Sequence, residues 1–256
     1  MLANYECDLH GHTNRSDGND SPVEYIRHAV HRGVKILAIT DHDIVPPEMI
    51  ELGGGKRQEI TAYAKGIGVE LLRGIEISCE TYIDDVHLVC LGCDWNAPYF
   101  KELDEFTINS KVNSYRKLID LLNEQGMEMT WEEVLQNNGY PVQEQFVQKK
   151  MIFELMARKG YMESWKEAKL YVKNSKEVSV KRDAVSIIKE IHKLGGIIIL
   201  AHPYLISEPV SYKGKEMSRQ EFIEVLIEAG LDGIEASYTY DKTSYGGTMT
   251  KEEIKK

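Results

Sequence analysis

The clearest pattern along the chain is a series of short apolar runs, each with His, Asp or Glu at or near one end. Residues 195–203 (G-G-I-I-I-L-A-H-P) show it most plainly: two glycines, four large apolar residues, then Ala-His-Pro. A continuous apolar run bounded by Gly and Pro reads as a strand buried on both faces. Residues 5–12, 34–40, 69–78 and 85–92 have the same build, and 231–237 (L-D-G-I-E-A-S) reads as a last strand. Helical spacing fills the intervals. Ser21 caps a helix with Pro22 at its first position and Glu24 completing a capping box, and Gly33 ends it. A short helix is expected over 56–66, an amphipathic one over 180–194 (Ala184, Ile187, Ile188, Ile191), and one capped by Ser218 and Glu221 that runs to Gly230.

The rhythm changes near Asn96. Between Phe100 and Lys173 the pattern is helical throughout, with helices expected over 104–125, from Thr130, over 142–159 and over 164–172. This predicts an α/β fold in three stretches: 1–95, a helical insertion over 96–178 placed as a cap, and 179–256. After Ser237 come a tyrosine-rich turn (Tyr238, Tyr240, Tyr245) and a charged tail.

Composition narrows the function classes. The 256 residues are 42% hydrophobic and 28% charged, enough for a large core. A net charge of -10 argues against a broad surface for duplex nucleic acid, while leaving room for a small or single-stranded anionic substrate. No apolar run approaches the length of a membrane span and no signal peptide is recognisable, so a cytoplasmic protein with reduced thiols is expected. Cys90 and Cys93 spell C-x-x-C but have no second pair, and buried strand residues account for them better than zinc or redox chemistry. Nothing in the sequence sets the oligomeric state.

The histidines divide by position. His28, His31 and His192 fall inside helices, as surface or packing residues. His10, His12, His42, His87 and His202 fall at strand ends or in the adjoining loops, with Asp17 and Glu76. Glu76, between Ile75 and Ile77, could face solvent by simple alternation, or could join the histidines. In α/β barrels the loops at one end of the strands form the active face. Nitrogen and oxygen donors converging there suit divalent zinc, manganese or iron and hydrolytic chemistry. A carboxylate on a middle strand, Glu76, is the natural bridge between two ions.

His10-Gly11-His12 after Asp8, Ser16-Asp17-Gly18, Thr40-Asp41-His42-Asp43, Gly74-Ile75-Glu76-Ile77-Ser78, His87, and Ala201-His202-Pro203 together resemble the PHP (polymerase and histidinol phosphatase) superfamily of metal-dependent phosphoesterases. The helical insertion resembles the subgroup acting on nucleotides or short oligonucleotides. The resemblance implies a distorted (β/α)7 TIM-like barrel and two to three divalent ions (Mn, Zn or Fe). His10, His12 and Glu76 would hold the first, Asp17 and His42 the second, and Glu76, His87 and His202 the third. Asp8, Asp41 and Asp43 would orient the imidazoles. It also implies hydrolysis of a phosphate ester by a metal-activated water, with Arg15 and Arg116 or Lys117 as candidates for the phosphate and Tyr204 for stacking on a base. The family's usual closing Gly-Ser-Asp-x-His strand has no match after Ser237, which is expected to weaken the first two sites. Two other readings stay open: an amidohydrolase-like C–N hydrolase, whose bridging Lys and late Asp are not recognisable here, and a metal-binding module without catalysis.

Overall fold

The structure is a computed structural model that describes residues 6–173 and 179–236. The expected tyrosine-rich turn, the tail and the missing closing strand therefore lie outside the described residues. In chain order the strands are β1 (Cys7–Asp8), β2 (Ile36–Ile39), β3 (Met49–Glu51), β4 (Arg57–Glu59), β5 (Glu70–Ser78), β6 (His87–Leu91), β7 (Ile197–Leu200), β8 (Val210–Tyr212), β9 (Lys215–Met217) and β10 (Gly233–Ile234). The helices are α1 (Pro22–His31), α2 (Ile60–Gly66), α3 (Pro98–Glu124), α4 (Trp131–Gln136), α5 (Lys149–Arg158), α6 (Trp165–Val172), α7 (Ala184–Lys193) and α8 (Arg219–Glu228). No described helix is long and apolar enough to cross a membrane.

Six strands form one curled sheet in the order β1-β2-β5-β6-β7-β10, and β3-β4 and β8-β9 are separate hairpins. The sheet is mixed. β1, β2 and β5 run parallel, as do β7 and β10, but β6 is antiparallel to both its neighbours, β5 and β7. The link from β5 to β6 is too short for a crossover helix, so the chain turns back as a hairpin. This reversal explains an oddity of the sequence, in which His87 opens its strand while the other candidate residues close theirs. Pairing of Ser78 with His87 and of Leu88 with Leu200 puts the start of β6 beside the ends of β5 and β7.

Several boundaries differ from expectation, each for a local reason. The first strand stops at Asp8 because Gly11, further on, is held by Thr40: its amide donates to Oγ1 (3.0 Å) and its carbonyl accepts from the Thr40 amide (2.9 Å). The helix expected over 56–66 begins at Ile60. Residues 57–59 pair with β3 instead, and the Glu59 carboxylate caps α2 through the amides of Thr61 and Ala62. α7 begins at Ala184, where Asp183 accepts from the Ser186 amide (2.9 Å). β7 is less covered than its composition implies: Ile198 and Leu200 are buried while Ile197 is half exposed.

The chain divides into two compact units, Met1–Asp104 with Arg182–Lys256, and Glu105–Lys181. The first has a core of Ile75, Ile77, Leu88 and Cys90 packed with Ile187, Ile188 and Ile191 of α7 and Phe222 and Leu226 of α8. On the side of β2, Leu37 and Ile39 pack with Ile26 and Ile60. The second unit is helical and has its own core, built on Leu118, Leu122, Trp131, Ile152, Phe153 and Met156. Cys79, Cys90 and Cys93 are buried thiols, and burial pushes the Cys90 and Cys93 thiols up, which keeps them protonated.

Candidate metal centre

Glu76 sits near the end of β5, fully buried, at the sheet end where β2, β5 and β7 finish and β6 starts. Alternation does not send it to solvent, because both faces of this part of β5 are covered. Five imidazoles surround its carboxylate. His10 Nε2, His12 Nε2 and His42 Nδ1 lie 3.2, 3.2 and 3.1 Å from Oε2, and His87 Nδ1 and His202 Nε2 lie 3.2 and 3.0 Å from Oε1. The rings pack as a continuous group, with His12 and His42 stacked at 4.5 Å. Asp17 stands at the margin, its carboxylate 3.6 Å from His12 Nδ1 and 3.8 Å from His42 Nε2.

Local structure explains why these side chains meet. Gly11 lets His10 and His12 flank a tight passage, since a Cβ there would lie 1.9 Å from the Tyr25 hydroxyl. Asp41, fully buried, accepts from the Thr13 amide (2.7 Å), the Thr13 hydroxyl (2.7 Å) and the Ser16 hydroxyl (2.8 Å), and so fixes the loop that carries Asp17. Asp43 accepts from the Ser78 amide (2.8 Å). Asp43 and His202 both have positive φ, 53° and 27°, a conformation that costs a non-glycine residue energy and is held by surrounding contacts.

The expected helpers therefore play different parts. Asp41 and Asp43 hold backbone and loop groups instead of imidazoles, and Asp8 accepts from the His10 amide. The carboxylate that does hold one of these imidazoles is Glu235, just past β10, which is not among the residues expected from the sequence. His10 Nδ1–H donates to its Oε1 (3.0 Å), and the His202 amide donates to its Oε2 (2.7 Å). The signal was present: Glu235 is an acidic residue closing a strand, the same cue that singled out the others. The anion-binding candidates are already engaged. Arg15 donates to the Val45 carbonyl (3.0 Å) and lies 3.9 Å from Asp41, and Arg116 pairs with Glu144 within the helical unit. Tyr204 lies two residues after His202, with the Arg219 guanidinium 5.0 Å over its ring.

The electrostatics follow from crowding. Burial pushes the Glu76 carboxyl up, but the imidazoles of His10, His12, His202 and His87 outweigh it and hold Glu76 well below the usual carboxylate range. Burial opposes charge on His10, yet the flanking carboxylates of Glu235 and Glu76 push its pKa up to about 10. His42 goes the other way, lowered by burial and by neighbouring imidazoles against the pull of Glu76. These atoms are poorly satisfied by one another. His10 Nε2, His12 Nδ1, His87 Nδ1 and Glu76 Oε2 are buried without a hydrogen bond, although other donors and acceptors lie near 3 Å. Buried polar atoms that converge without bonding call for a shared cation. Among the described residues three sets fit one: His10, His12 and Glu76; His12, Asp17 and His42; His42, Glu76 and His87. The donors are nitrogen and carboxylate oxygen, suited to first-row divalent ions.

Known proteins resemble this chain in sequence and in fold. The chain is similar to a 5'-3' exoribonuclease of Haemophilus influenzae, 29% identical over 77% of this chain and 68% of that protein. It is also similar to a phosphoribosyl 1,2-cyclic phosphate 1,2-diphosphodiesterase of Eggerthella lenta, 27% identical over 89% of this chain and 81% of that one. A crystal structure from Bifidobacterium adolescentis shares the fold, with a TM-score of 0.64, 23% identity, and coverage of 90% of this chain and 76% of that one. The PHP domain model matches residues 8–194, from the strand before His10 to the end of α7, and on that extent the chain belongs to the PHP domain family.

Proposed function

We propose that this PHP-type phosphoesterase hydrolyses a phosphate ester of a nucleotide or short single-stranded oligonucleotide, using two to three divalent ions (manganese, zinc or iron). His10, His12, Asp17, His42, Glu76, His87 and His202 are the ligands in this reading. The observation that carries it is the buried Glu76 carboxylate with five imidazole nitrogens at 3.0–3.2 Å, two of them (His10 Nε2 and His87 Nδ1) and its own Oε2 without a hydrogen bond. Bound divalent ions supply Lewis-acid stabilisation of phosphoryl charge and lower the pKa of water.

The chain's own residues supply the frame for that chemistry. Glu76 stays ionised and offers both oxygens, each faced by different imidazoles, so a single carboxylate can serve neighbouring ions. Asp41 immobilises the loop 13–17, which sets Asp17 beside His12 and His42. In this reading Tyr204, on the turn after His202, stacks on a base with the ring face that Arg219 leaves open. The cysteines Cys90 and Cys93 are buried and protonated, and the reading requires no side-chain nucleophile.

The test is phosphate or nucleotide release by the manganese-loaded chain from three substrates: a nucleoside 3',5'-bisphosphate, a 5'-phosphorylated oligoribonucleotide, and a phosphoribosyl 1,2-cyclic phosphate. Release from either of the first two, lost in His202→Ala, supports the proposal. Release from the cyclic ester alone would keep the phosphoesterase and overturn the nucleotide. Activity confined to an amide or cyclic urea would overturn both.

A further inference from the structure

We propose that Glu235 is a positioning residue for this centre: it fixes which nitrogen of His10 faces Glu76 and ties the His202 loop to the same carboxylate. The inference rests on the metal-centre reading above. Both oxygens of Glu235 are committed. Oε1 accepts from His10 Nδ1–H (3.0 Å) and Oε2 accepts from the His202 backbone amide (2.7 Å). With Nδ1 holding its proton against Glu235, the nitrogen left to meet a cation is Nε2, the buried atom that faces Glu76 without a hydrogen bond. A carboxylate behind a ligating imidazole sets tautomer and ring angle in this way.

The second contact matters because His202 adopts a positive φ of 27° immediately before Pro203. An amide in that turn cannot join the β7 ladder, and Glu235 accepts it instead. The Glu235 amide itself donates to the Leu200 carbonyl (2.9 Å), so the carboxylate is delivered from a fixed backbone position next to β7. One side chain thus couples two ligands that lie 192 positions apart (202 − 10) to a third segment of chain.

The same strand provides an internal comparison. Asp232, three residues earlier, accepts from the Ile198 amide (2.8 Å) and contacts His192 Nε2 (2.9 Å). It is also a carboxylate joining a histidine and a β7 amide, but its histidine lies on α7 away from Glu76. If Glu235 were merely a structural tie, the two would behave alike.

Glu235→Gln discriminates. An amide offers one acceptor and one donor where two acceptors are needed. If its oxygen takes the His202 amide, its NH2 faces His10 Nδ1 and drives the ring proton to Nε2, blocking the lone pair. Manganese(II) binding to the purified chain, followed by isothermal titration calorimetry, is expected to weaken about 10- to 100-fold in E235Q. D232N is expected to lower Tm and keep the affinity of the unaltered chain. Glu235→Asp draws the carboxylate back by one methylene, so it reaches one donor and not both, and falls between; it also serves if E235Q does not fold. Unchanged affinity in the Glu235 variants, or equal weakening in D232N, overturns this inference and leaves the metal centre standing. Absence of manganese, zinc and iron(II) binding by the unaltered chain overturns both.

Discussion

At the scale of single residues, Glu76 concentrates the demand for a cation, and its replacement gives the sharpest test. Glu76→Gln keeps the shape but removes the charge that five imidazoles surround. Metal-based stabilisation of phosphoryl charge contributes several kcal/mol, and each ~1.4 kcal/mol is a factor of ten. Phosphate release is therefore expected to fall at least ~100-fold, with loss of bound metal by elemental analysis; normal metal content would sink the bridging role. Gly18 gives a stability test at the same site. A Cβ there would lie 2.3 Å from the His12 carbonyl oxygen, a backbone atom that cannot swing aside. Gly18→Ala is expected to cost about 1–3 kcal/mol, the usual cost of overpacking, and to lower Tm by roughly 2–4 °C for each of them. The five site histidines were legible in the sequence because each marks the end of an apolar run, or in His87 its start, whereas Glu76, between two isoleucines, read equally well as a solvent-facing residue. Glu235 obeys the same cue, but a lone Glu after isoleucine also fits an exposed strand residue. The hydrogen bonds of Asp41 and Asp43 were not legible at all, since they depend on where the loop 13–17 and Ser78 fall in space.

At the scale of elements, caps and turns decided where the sequence was right and where it slipped. Capping boxes at Ser21, Thr130 and Ser218 appear in the structure as expected, because the signal is local. The antiparallel course of β6 and the hairpins β3-β4 and β8-β9 depend on pairing partners distant in sequence or on strands too short to show a period. The cap of α7 makes a prediction in pH. Asp183 accepts from Ser186 and Tyr212 and pairs with Lys213, and these contacts outweigh burial and lower its pKa. A carboxyl with a folded pKa below its unfolded value, about 3.9, stabilises the fold above that value and loses the contribution as pH falls through the folded one. Asp183→Ala is expected to cost ~1 kcal/mol at pH 7. Thermal melts at pH 7 and below pH 3 should show that cost shrinking; a penalty constant with pH would place it in the packing of α7 instead.

For the whole molecule, the two units have separate cores, and the candidate ligands all belong to the first. A ligand that binds only the folded state stabilises it by RT ln(1 + [L]/Kd), about 2.7 kcal/mol at a hundred times Kd. Manganese should therefore raise the stability of the unit that holds Glu76 and leave the helical unit alone. Two cavities separate the units. Ile188→Ala opens the core beside β6 and α7, and Ile152→Ala opens the core around Trp131 and Met156; each is fully buried and each is expected to cost about 2–5 kcal/mol. In calorimetry, the transition lowered by Ile188→Ala should be the one that manganese raises and chelation lowers. The transition lowered by Ile152→Ala should ignore both, and manganese affinity in that variant should match the unaltered chain. A single transition that moves with both substitutions and with manganese would show that the units fold as one body, and the stability of the metal centre would then depend on every helix of residues 105–181.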